Sequence, residues 1–475
     1  MSPSIATGVF AVGIAGLFYW NRDSSVRTSR ALWIPVIWFW ILGSRAVSIW
    51  LGGQSTKTNA STMMEGSPLD AFVFQLLIAG GLAVVLYRAR RCALLMKANW
   101  PILGYFLYCL FSVVCSDYPG VAAKRWIKAS GDLVMALVVV TDFDPAAALR
   151  TLVSRVSFVL VPASRLLIKY YPYLGRGFDR WSGEAANTGV TTDKNYLGVT
   201  TYILALGIFW QVLRLWKDRR LPNRSGQLLA QGAVLGFAVW NLFTANSATS
   251  KACFLLGTIL ILLTSSERLR GRPKTVQAIV LTIILVGGLI KITGADDIVF
   301  QLLGRNDTLT GRTDIWQVLI PMAPNALVGA GFESFWLGPR LIKVWDAFPD
   351  LFVSEAHNGY LEVYLNLGAI GIILIIVILH HGYRRSIAAF RRDPGFGGLA
   401  LAYVVSAALY SYTEAGFRML DYSWSFLILV IIGASRVSLI RPTDCGRGKN
   451  VQTVVADDGN ETEYRIEENI GVIPS

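Results

Sequence analysis

Long apolar runs recur along the chain and alternate with short polar segments. A run of about 18 or more apolar residues is long enough to cross a bilayer as a helix. The pattern therefore predicts an all-α, polytopic membrane bundle of about 12–13 transmembrane helices. The predicted helices lie near residues 5–20, 31–51, 69–88, 99–116, 130–142, 149–170, 196–216, 227–244, 251–266, 275–292, 364–382, 397–413 and 423–438.

The composition agrees with a membrane protein and excludes an ordinary soluble enzyme. Of the 475 residues, 53% are hydrophobic and only 16% are charged, and the mean hydropathy is +0.48. Soluble domains carry about 25% charged residues. We therefore expect one transmembrane bundle over residues 1–440, an extracytoplasmic helical cap within it at 293–363, and a polar, disordered cytoplasmic tail at 441–475.

Basic residues indicate the orientation. The net charge is +13 and the pI is near 9.6, but lysine and arginine cluster in alternate connecting segments, as the positive-inside rule requires of cytoplasmic loops. The basic segment at 116–128 is an exception, because it is predicted to lie outside. We expect an inner-membrane protein with its N-terminus outside and its C-terminus in the cytoplasm, surrounded by the lipid bilayer, with no nucleic-acid partner. Residues 1–20 are expected to be a first spanning helix and not a cleaved signal.

Two predicted outside segments are too long to be simple connections. One runs from 171 to 195 and the other from 293 to 363, and long ordered loops are usually functional. Within the second, "TDIWQVLI" has helical spacing with Thr313 or Asp314 as the N-cap. "GYLEVYLNLG" predicts the start of an amphipathic helix that then enters the membrane. We therefore expect this segment to be a folded cap.

His357 is the candidate catalytic base. The chain has three histidines, and the other two, His380 and His381, lie beside arginines at a predicted cytoplasmic end. Histidine has an ordinary pKa of about 6.5, which suits the transfer of a proton from a hydroxyl group. The alternative is a hydrogen-bonding residue at the junction of loop and membrane. Asn358 either caps the following helix or positions His357, and Glu362 either binds substrate or makes helix-end hydrogen bonds.

Basic side chains in the outside segments indicate an anionic ligand. They run against the positive-inside bias, and guanidinium groups match phosphate oxygens. Arg312 is the candidate for stabilising the charge of a phosphate group in catalysis. The other candidates for binding an anionic substrate are Arg176, Arg180, Lys194, Asn195 and Arg305. Each of these could instead be structural or bind a phospholipid headgroup.

Metal ligands and cofactor motifs are sparse. Apart from the weak candidate "ADDI" near residue 295, no DxD-like acidic pair occurs in an outside segment. The five cysteines have no spacing typical of a disulfide framework or a zinc site. We therefore expect neither a metal nor a cofactor.

Three ionisable residues fall within or beside apolar runs. They are Arg45, Arg165 and Glu414. Charged groups inside a membrane are often functional. Each of these lies near a helix end, however, and snorkelling to the interface is the simpler interpretation.

A family resemblance joins the motifs. "GRTDIW", "NALVGAGFESF" and "AHNGYLEVYLNLGAIG", with the upstream "RGFDRWSGEAANTGVTTDKNYLG" and "NSATSKA", resemble the signature of the O-antigen ligase and polymerase-like membrane glycosyltransferases. The resemblance implies a GT-C-like bundle and a metal-independent transferase, most simply an inverting one. It implies transfer of a glycan from a polyprenyl (undecaprenyl) diphosphate to a sugar hydroxyl of an acceptor glycan or lipid. Such transfer serves the polymerisation or ligation of surface polysaccharide, either O-antigen or exopolysaccharide.

Two functional questions stay open. A transporter or flippase for lipid-linked glycans would have a similar number of helices. Transporters tend to place ionisable groups at mid-membrane and to contain internal repeats, and no repeat is visible in this sequence. Within the enzyme class, a ligase and a polymerase share the donor and differ in the acceptor. The cap adds no separate domain for recognising a protein or a lipid acceptor, which favours polymerisation.

Overall fold

The computed structural model describes residues 1–23, 27–53, 66–179, 183–292, 310–349 and 351–439. Within these ranges the chain is almost entirely helical, with one short two-stranded hairpin. The all-α, polytopic prediction is confirmed. The predicted tail at 441–475 and the candidate residues Arg180 and Arg305 lie outside the described residues.

The helices follow one another with short connections. In chain order they are α1 (Pro3–Trp20), α2 (Trp33–Leu42), α3 (Val47–Trp50), α4 (Pro68–Tyr87), α5 (Ala89–Ala98), α6 (Trp100–Ser112), α7 (Pro119–Val140), α8 (Pro145–Tyr170), α9 (Pro172–Gly175), α10 (Lys194–Lys217), α11 (Arg224–Thr244), α12 (Ala248–Thr264), α13 (Pro273–Ile292), α14 (Thr310–Leu319), α15 (Gly338–Ala347), α16 (Gly359–Phe390), α17 (Pro394–Thr413) and α18 (Tyr422–Leu439). Strands β1 (Arg176–Phe178) and β2 (Ala185–Asn187) pair antiparallel, with Gly177 opposite Ala186. Single 3-10 turns precede α2 at Arg30–Leu32 and follow α14 at Ile320–Met322.

Helices that could span a membrane recur throughout the described chain. Eight helices are long and apolar enough to cross a bilayer, and α5 with α6, which meet at 93°, would make a ninth. Two shorter apolar helices lie at Arg30–Leu42 and in α12. Every helix predicted from the apolar runs overlaps a helix of the structure. The protein is therefore a multi-pass membrane protein.

The predicted helix at 31–51 is too long. The first helix of this region, α2, ends at Leu42, and the chain turns at Gly43 before the short α3. The turn occurs because the backbone N–H of Arg45 donates to the carbonyl of Val190, at 2.9 Å, and not to a carbonyl of its own helix. The Arg45 side chain donates to the carbonyl of Leu174. Arg45 thus joins the segment at 171–195 to the bundle, and its side chain does not snorkel.

Two further boundaries differ from the prediction. The basic segment at 116–128 is mostly helical, because Pro119 begins α7 at a position where proline's fixed φ favours a first turn. Arg125 on this helix donates to the backbone carbonyl of Glu333. The cap helix α14 begins at Thr310, before the predicted N-cap at Thr313 or Asp314.

Connecting segments from distant parts of the chain meet at one end of the bundle. The Tyr196 hydroxyl donates to the carbonyl of Leu42 at 3.0 Å. Thr249 and Thr413 share a hydrogen bond of 2.7 Å between their hydroxyl groups. Arg312 donates to the carbonyl of Thr413, and the Tyr196 hydroxyl also lies 3.5 Å from the carbonyl of Leu420. The described parts of the predicted outside segments at 171–195, 245–250, 310–358 and 414–421 therefore share one end, as the alternation of basic residues requires.

The cap packs on the bundle through two glycines. Gly368 interrupts α16 with φ +63° and ψ −163°, and Gly329 in the cap has φ +68°. The N–H of Ala369 donates to the carbonyl of Ala326 at 2.8 Å, so cap backbone lies directly on helix backbone. A Cβ atom at position 368 would lie 2.2 Å from the carbonyl of Leu327. Glycine is therefore required at the break.

The described part of the cap has its own small core. The buried side chains come from α14, α15, the segments that connect the helices, and the first turns of α16. They are Ile315, Leu319, Ala330, Phe335, Trp336, Leu341, Val344, Val353, Ala356 and Leu365. This core supports the turn that carries His357.

Candidate active site

His357 lies in the turn between α15 and α16. Its φ is +47°, in the left-handed region that residues other than glycine rarely adopt. The indole N–H of Trp316 donates to the carbonyl of Ala356 at 2.8 Å, and the N–H of Ala356 donates to Glu362 Oε2 at 2.9 Å. A rare backbone conformation persists where its surroundings determine it. The position of His357 is therefore set by the packed cap and not by the local sequence.

Two carboxylates face Nδ1 of His357. Glu355 Oε1 lies at 3.3 Å and Glu414 Oε2 at 3.5 Å, and the imidazole is 15% exposed. Burial by itself lowers the pKa of a histidine, but the charges of Glu355 and Glu414 outweigh it, so the pKa of His357 lies above 6.5. Arg312 opposes this increase more weakly. A proton on Nδ1 that faces the carboxylates leaves Nε2 as the proton acceptor of the neutral ring.

Arg312 reaches the same carboxylate from α14. One terminal nitrogen lies 2.9 Å from Glu414 Oε1, and the other donates to the carbonyl of Thr413. The Glu414 side chain is only 6% exposed. The snorkelling interpretation of Glu414 is therefore wrong, because a buried carboxylate needs a paired positive charge and turns inward to obtain it. Glu414 bridges the two candidate catalytic residues.

Arg418, in the segment between α17 and α18, lies among three glutamates of the cap and α16. Its guanidinium nitrogens lie 3.4 Å from Glu355, 3.6 Å from Glu362 and 3.7 Å from Glu333. Burial alone would lower the pKa of Arg418, but these carboxylates raise it above its ordinary range. Arg418 therefore stays charged and ties the 414–421 segment to three points around His357.

Glu362 and Asn358 support the turn from the first residues of α16. The Glu362 side chain is buried and accepts hydrogen bonds from the Trp336 indole at 2.5 Å and from the Ala356 backbone. Asn358 Oδ1 accepts from the N–H groups of Tyr360 and Leu361, both at 3.0 Å, and caps α16. Both residues therefore make structural hydrogen bonds next to His357. Their direct contact with substrate stays a prediction.

The second group of candidate residues lies around the β1–β2 hairpin and the start of α10. Arg176, in β1, donates from Nε to the carbonyl of Ile168 at 3.1 Å and is exposed. Lys194, the first residue of α10, forms an ion pair with Asp179. Asn195 is half-buried in the same first turn. The structure places these residues at the same end of the bundle as His357.

Tyr196 connects the two groups of candidate residues. It follows Asn195 in α10, and its hydroxyl lies 3.5 Å from the carbonyl of Leu420, in the segment that carries Glu414 and Arg418. Contact of Arg176, Lys194 or Asn195 with a diphosphate stays a prediction.

A metal ion is the other cation that the carboxylates around His357 could hold. Ligand atoms of Glu355, His357 and Glu414 lie within 4.8 Å of one another. Both carboxylates already bind guanidinium groups, since Arg418 lies 3.4 Å from Glu355 and Arg312 lies 2.9 Å from Glu414. The charge that a metal would neutralise is therefore largely neutralised by arginine.

Sequence reasoning missed Glu414, Arg418 and Glu333 as members of the site. Glu414 and Arg418 lie in "TEAGFRMLD", a short charged segment between two apolar helices. Their charge was the signal that could have identified them, because a short connection between two apolar helices does not by itself require charged residues. Their distance from His357 along the chain hid the contact.

These features define a class of protein: a multi-pass, all-helical membrane protein with a buried, charged site under a cap at one end of the bundle. Residues 233–376 match the family model described as O-Antigen ligase, a range that contains Arg312, His357, Asn358 and Glu362. The chain is also 25% identical over 322 residues to the exopolysaccharide production protein ExoQ of Rhizobium meliloti (strain 1021), covering 64% of this chain and 70% of that relative.

Together the two likenesses confirm the resemblance to the O-antigen ligase and polymerase-like family. They support a role in surface polysaccharide synthesis.

Proposed function

We propose that this protein transfers a glycan from a polyprenyl diphosphate to a sugar hydroxyl at the outer face of the inner membrane, in exopolysaccharide or other surface polysaccharide synthesis. The observation that carries the proposal is the position of His357 between Glu355 and Glu414, with Arg312 paired to Glu414. The family likeness supplies the substrate class. The ExoQ likeness favours exopolysaccharide as the product.

His357 acts as the general base. Its Nδ1 proton is held by the carboxylates, so Nε2 accepts the proton of the acceptor hydroxyl as the oxygen attacks the anomeric carbon. The new bond joins this oxygen to the anomeric carbon, and the bond from that carbon to the diphosphate oxygen breaks. The two carboxylates stabilise the imidazolium that forms. Direct displacement inverts the configuration at the anomeric carbon.

Arg312 stabilises the leaving diphosphate. A guanidinium has five N–H donors, and the contacts with Glu414 and Thr413 leave further donors for phosphate oxygens. Positive charge aimed at developing negative charge often contributes more to such catalysis than any other single effect. Arg176 and Lys194 are proposed to extend this electropositive surface toward the donor.

The test replaces His357 by glutamine in a strain that lacks the chromosomal gene. We expect loss of polymerised surface glycan at normal membrane levels of the protein, by a factor of about 100 or more for a lost general base. His380→Gln is the matched control, because His380 is exposed in the second half of α16, several helical turns from His357. Normal glycan in a well-expressed His357→Gln strain would refute the proposed role of His357.

The form of the glycan that accumulates separates the alternatives. A single lipid-linked repeat at the outer face indicates a lost polymerase, and an unattached full-length glycan indicates a lost ligase. Lipid-linked repeats confined to the cytoplasmic leaflet indicate a transporter and would overturn the transferase proposal.

A further inference from the structure

A large cavity lies at the end of the bundle opposite His357. It has a volume of about 590 Å³ and lies among α1, α2, α8, α10 and α11. Arg150 lines it near the start of α8, and Tyr170 ends that helix about 30 Å away. The Tyr170 end adjoins the 171–195 segment and the candidate active site. The cavity is therefore a separate feature of the molecule.

Positive charge dominates the cavity wall. Its charged lining residues among those described are Arg22, Asp23, Arg150, Arg155 and Arg214. Arg150 and Arg214 are close enough to repel each other electrostatically. Asp144, 3.8 Å from Arg150, and Asp393 offset part of this charge from outside the lining. Four guanidinium groups against one lining carboxylate favour an anionic occupant.

Neutral polar side chains complete the polar half of the cavity wall. They are Asn21, Thr28, Thr151, Ser154, Gln211 and Gln227. Arg155 stacks on Trp33 at 4.2 Å, which holds its guanidinium group at the wall. Hydroxyl and amide groups can donate hydrogen bonds to an anion that the arginines attract.

The remaining wall is apolar and adjoins the lipid-facing side of the bundle. Phe18, Phe158 and Leu215 line the cavity together with the polar groups. Most of the surface of α1 is not buried inside the protein. An occupant can thus place an anionic head among the arginines and an apolar part along α1.

We propose that this cavity binds a phosphate group. The phosphate of an anionic phospholipid headgroup fits best, because such a lipid uses both the polar and the apolar wall of the cavity. Guanidinium groups match phosphate oxygens with paired hydrogen bonds. The apolar wall accommodates the start of an acyl chain. A soluble phosphate shares the polar half of this chemistry and is the second source that the experiment separates.

The experiment uses the full chain in nanodiscs of equal phosphatidylglycerol and phosphatidylcholine, with retained lipid measured by native mass spectrometry. We expect phosphatidylglycerol to be retained by the wild type and reduced at least tenfold in Arg150→Gln/Arg214→Gln. The control is Arg268→Gln/Arg272→Gln, which removes two exposed arginines from the same end of the bundle. Arg150→Lys/Arg214→Lys keeps the charge and covers the case in which the first variant does not fold.

The outcomes are distinct. Equal losses in the cavity and control variants would mean general attraction of anionic lipid to a basic surface and would overturn the proposal. Thermal protection of the wild type by millimolar inorganic phosphate, absent in Arg150→Gln/Arg214→Gln, supports the phosphate site with a soluble source. Neither lipid retention nor phosphate protection would mean that the cavity holds only water, and the proposal would fail.

Discussion

Two carboxylates and two arginines surround His357. Glu355 and Glu414 face Nδ1 directly, while Arg312 and Arg418 bind the outer oxygens of those carboxylates. The carboxylates keep the proton on Nδ1 and stabilise the protonated ring. The arginines hold the carboxylates in place. His357 therefore carries the proton, and the neighbouring charges determine the pH range in which its neutral ring can accept one.

The pH dependence of transfer follows from this arrangement. The pKa of His357 lies above 6.5 because of its carboxylate neighbours, and only the neutral ring accepts a proton. We expect the transfer rate to rise as pH increases through that raised pKa. Glu355→Gln removes one negative charge, lowers the pKa of His357 and moves the rise toward lower pH. Initial rates in membrane vesicles across this pH range measure the shift.

Glu267→Gln is the control for this shift, because Glu267 is exposed at the opposite end of the bundle. Its pH profile should match that of the wild type. An unchanged profile in Glu355→Gln would show that another group controls the rate.

Arg418 is predicted to be a positioning residue. Arg418→Met leaves Glu333, Glu355 and Glu362 without their shared cation, and removing one partner of a buried ion pair costs on the order of 3 kcal/mol. We expect a lower midpoint of thermal unfolding and a loss of transfer. Arg418→Lys should restore much of the stability but little of the transfer, because lysine cannot contact three carboxylates in fixed directions.

Arg340→Met is the matched substitution in the cap. Arg340 pairs with Asp117 at 2.6 Å, and Asp117 is 60% exposed, so the pair is worth at most about 1 kcal/mol. Thermal unfolding and transfer measured in parallel separate the two sites. Equal effects of Arg418→Met and Arg340→Met would contradict the prediction that Arg418 is a positioning residue.

At the scale of elements, the break in α16 connects the cap to the membrane. The first turns of this helix carry Asn358 and Glu362 beside His357, and the remainder crosses the bilayer. Gly368 separates the two parts and lets the cap backbone bond to the helix at the break. The angle of the break therefore determines the position of the first turns of α16, and with it the position of the site.

Gly368→Ala should be severely destabilising. The residue has φ +63° and ψ −163°, which alanine strongly disfavours, and its Cβ would overlap the Leu327 backbone. Strain and overpacking together cost about 3 kcal/mol or more. Thermal unfolding in detergent measures the loss. Gly236→Ala in α11 is the control, because nothing lies within 4 Å of its added Cβ, and it should be neutral or slightly stabilising.

At the scale of the whole molecule, the two ends of the bundle differ in chemistry. One end gathers the hairpin, the cap and the His357 cluster, and the other gathers basic connections and the arginine-lined cavity. The positive-inside rule predicts that the first end faces outward and the second faces the cytoplasm. A transferase that uses lipid-linked donors at the outer face requires this orientation.

Cysteine labelling tests the orientation. In a background with Cys115 and Cys445 replaced by serine, Asn246→Cys should react with a membrane-impermeant maleimide in intact cells. Arg270→Cys should react only after the membrane is permeabilised, because Arg270 is exposed at the other end. The reverse pattern would contradict the predicted topology and the outer-face site with it.

Much of this architecture was predictable from local patterns. Apolar runs predicted each of the eight long helices that could cross a bilayer, because a chain in lipid must satisfy its backbone hydrogen bonds within helices. The boundary errors at 31–51 and 116–128 have different causes. At 31–51 the chain follows a contact with a distant segment, that of Arg45 with Val190, which local hydrophobicity does not encode. At 116–128 the helix begins at Pro119, before the apolar run, so hydrophobicity alone places its start too late. His357 and Arg312 were predicted as site candidates from their motifs.

The sequence by itself determined the class of fold, the spacing of the helices and the chemical character of His357, because these depend on residues near one another in the chain. Only the tertiary structure decided which charges surround that histidine. Glu414 and Arg418 lie more than one helix away along the chain, and burial compels them to pair with Arg312 and the cap glutamates. The arginine-lined cavity has the same origin, since five separate helices enclose it.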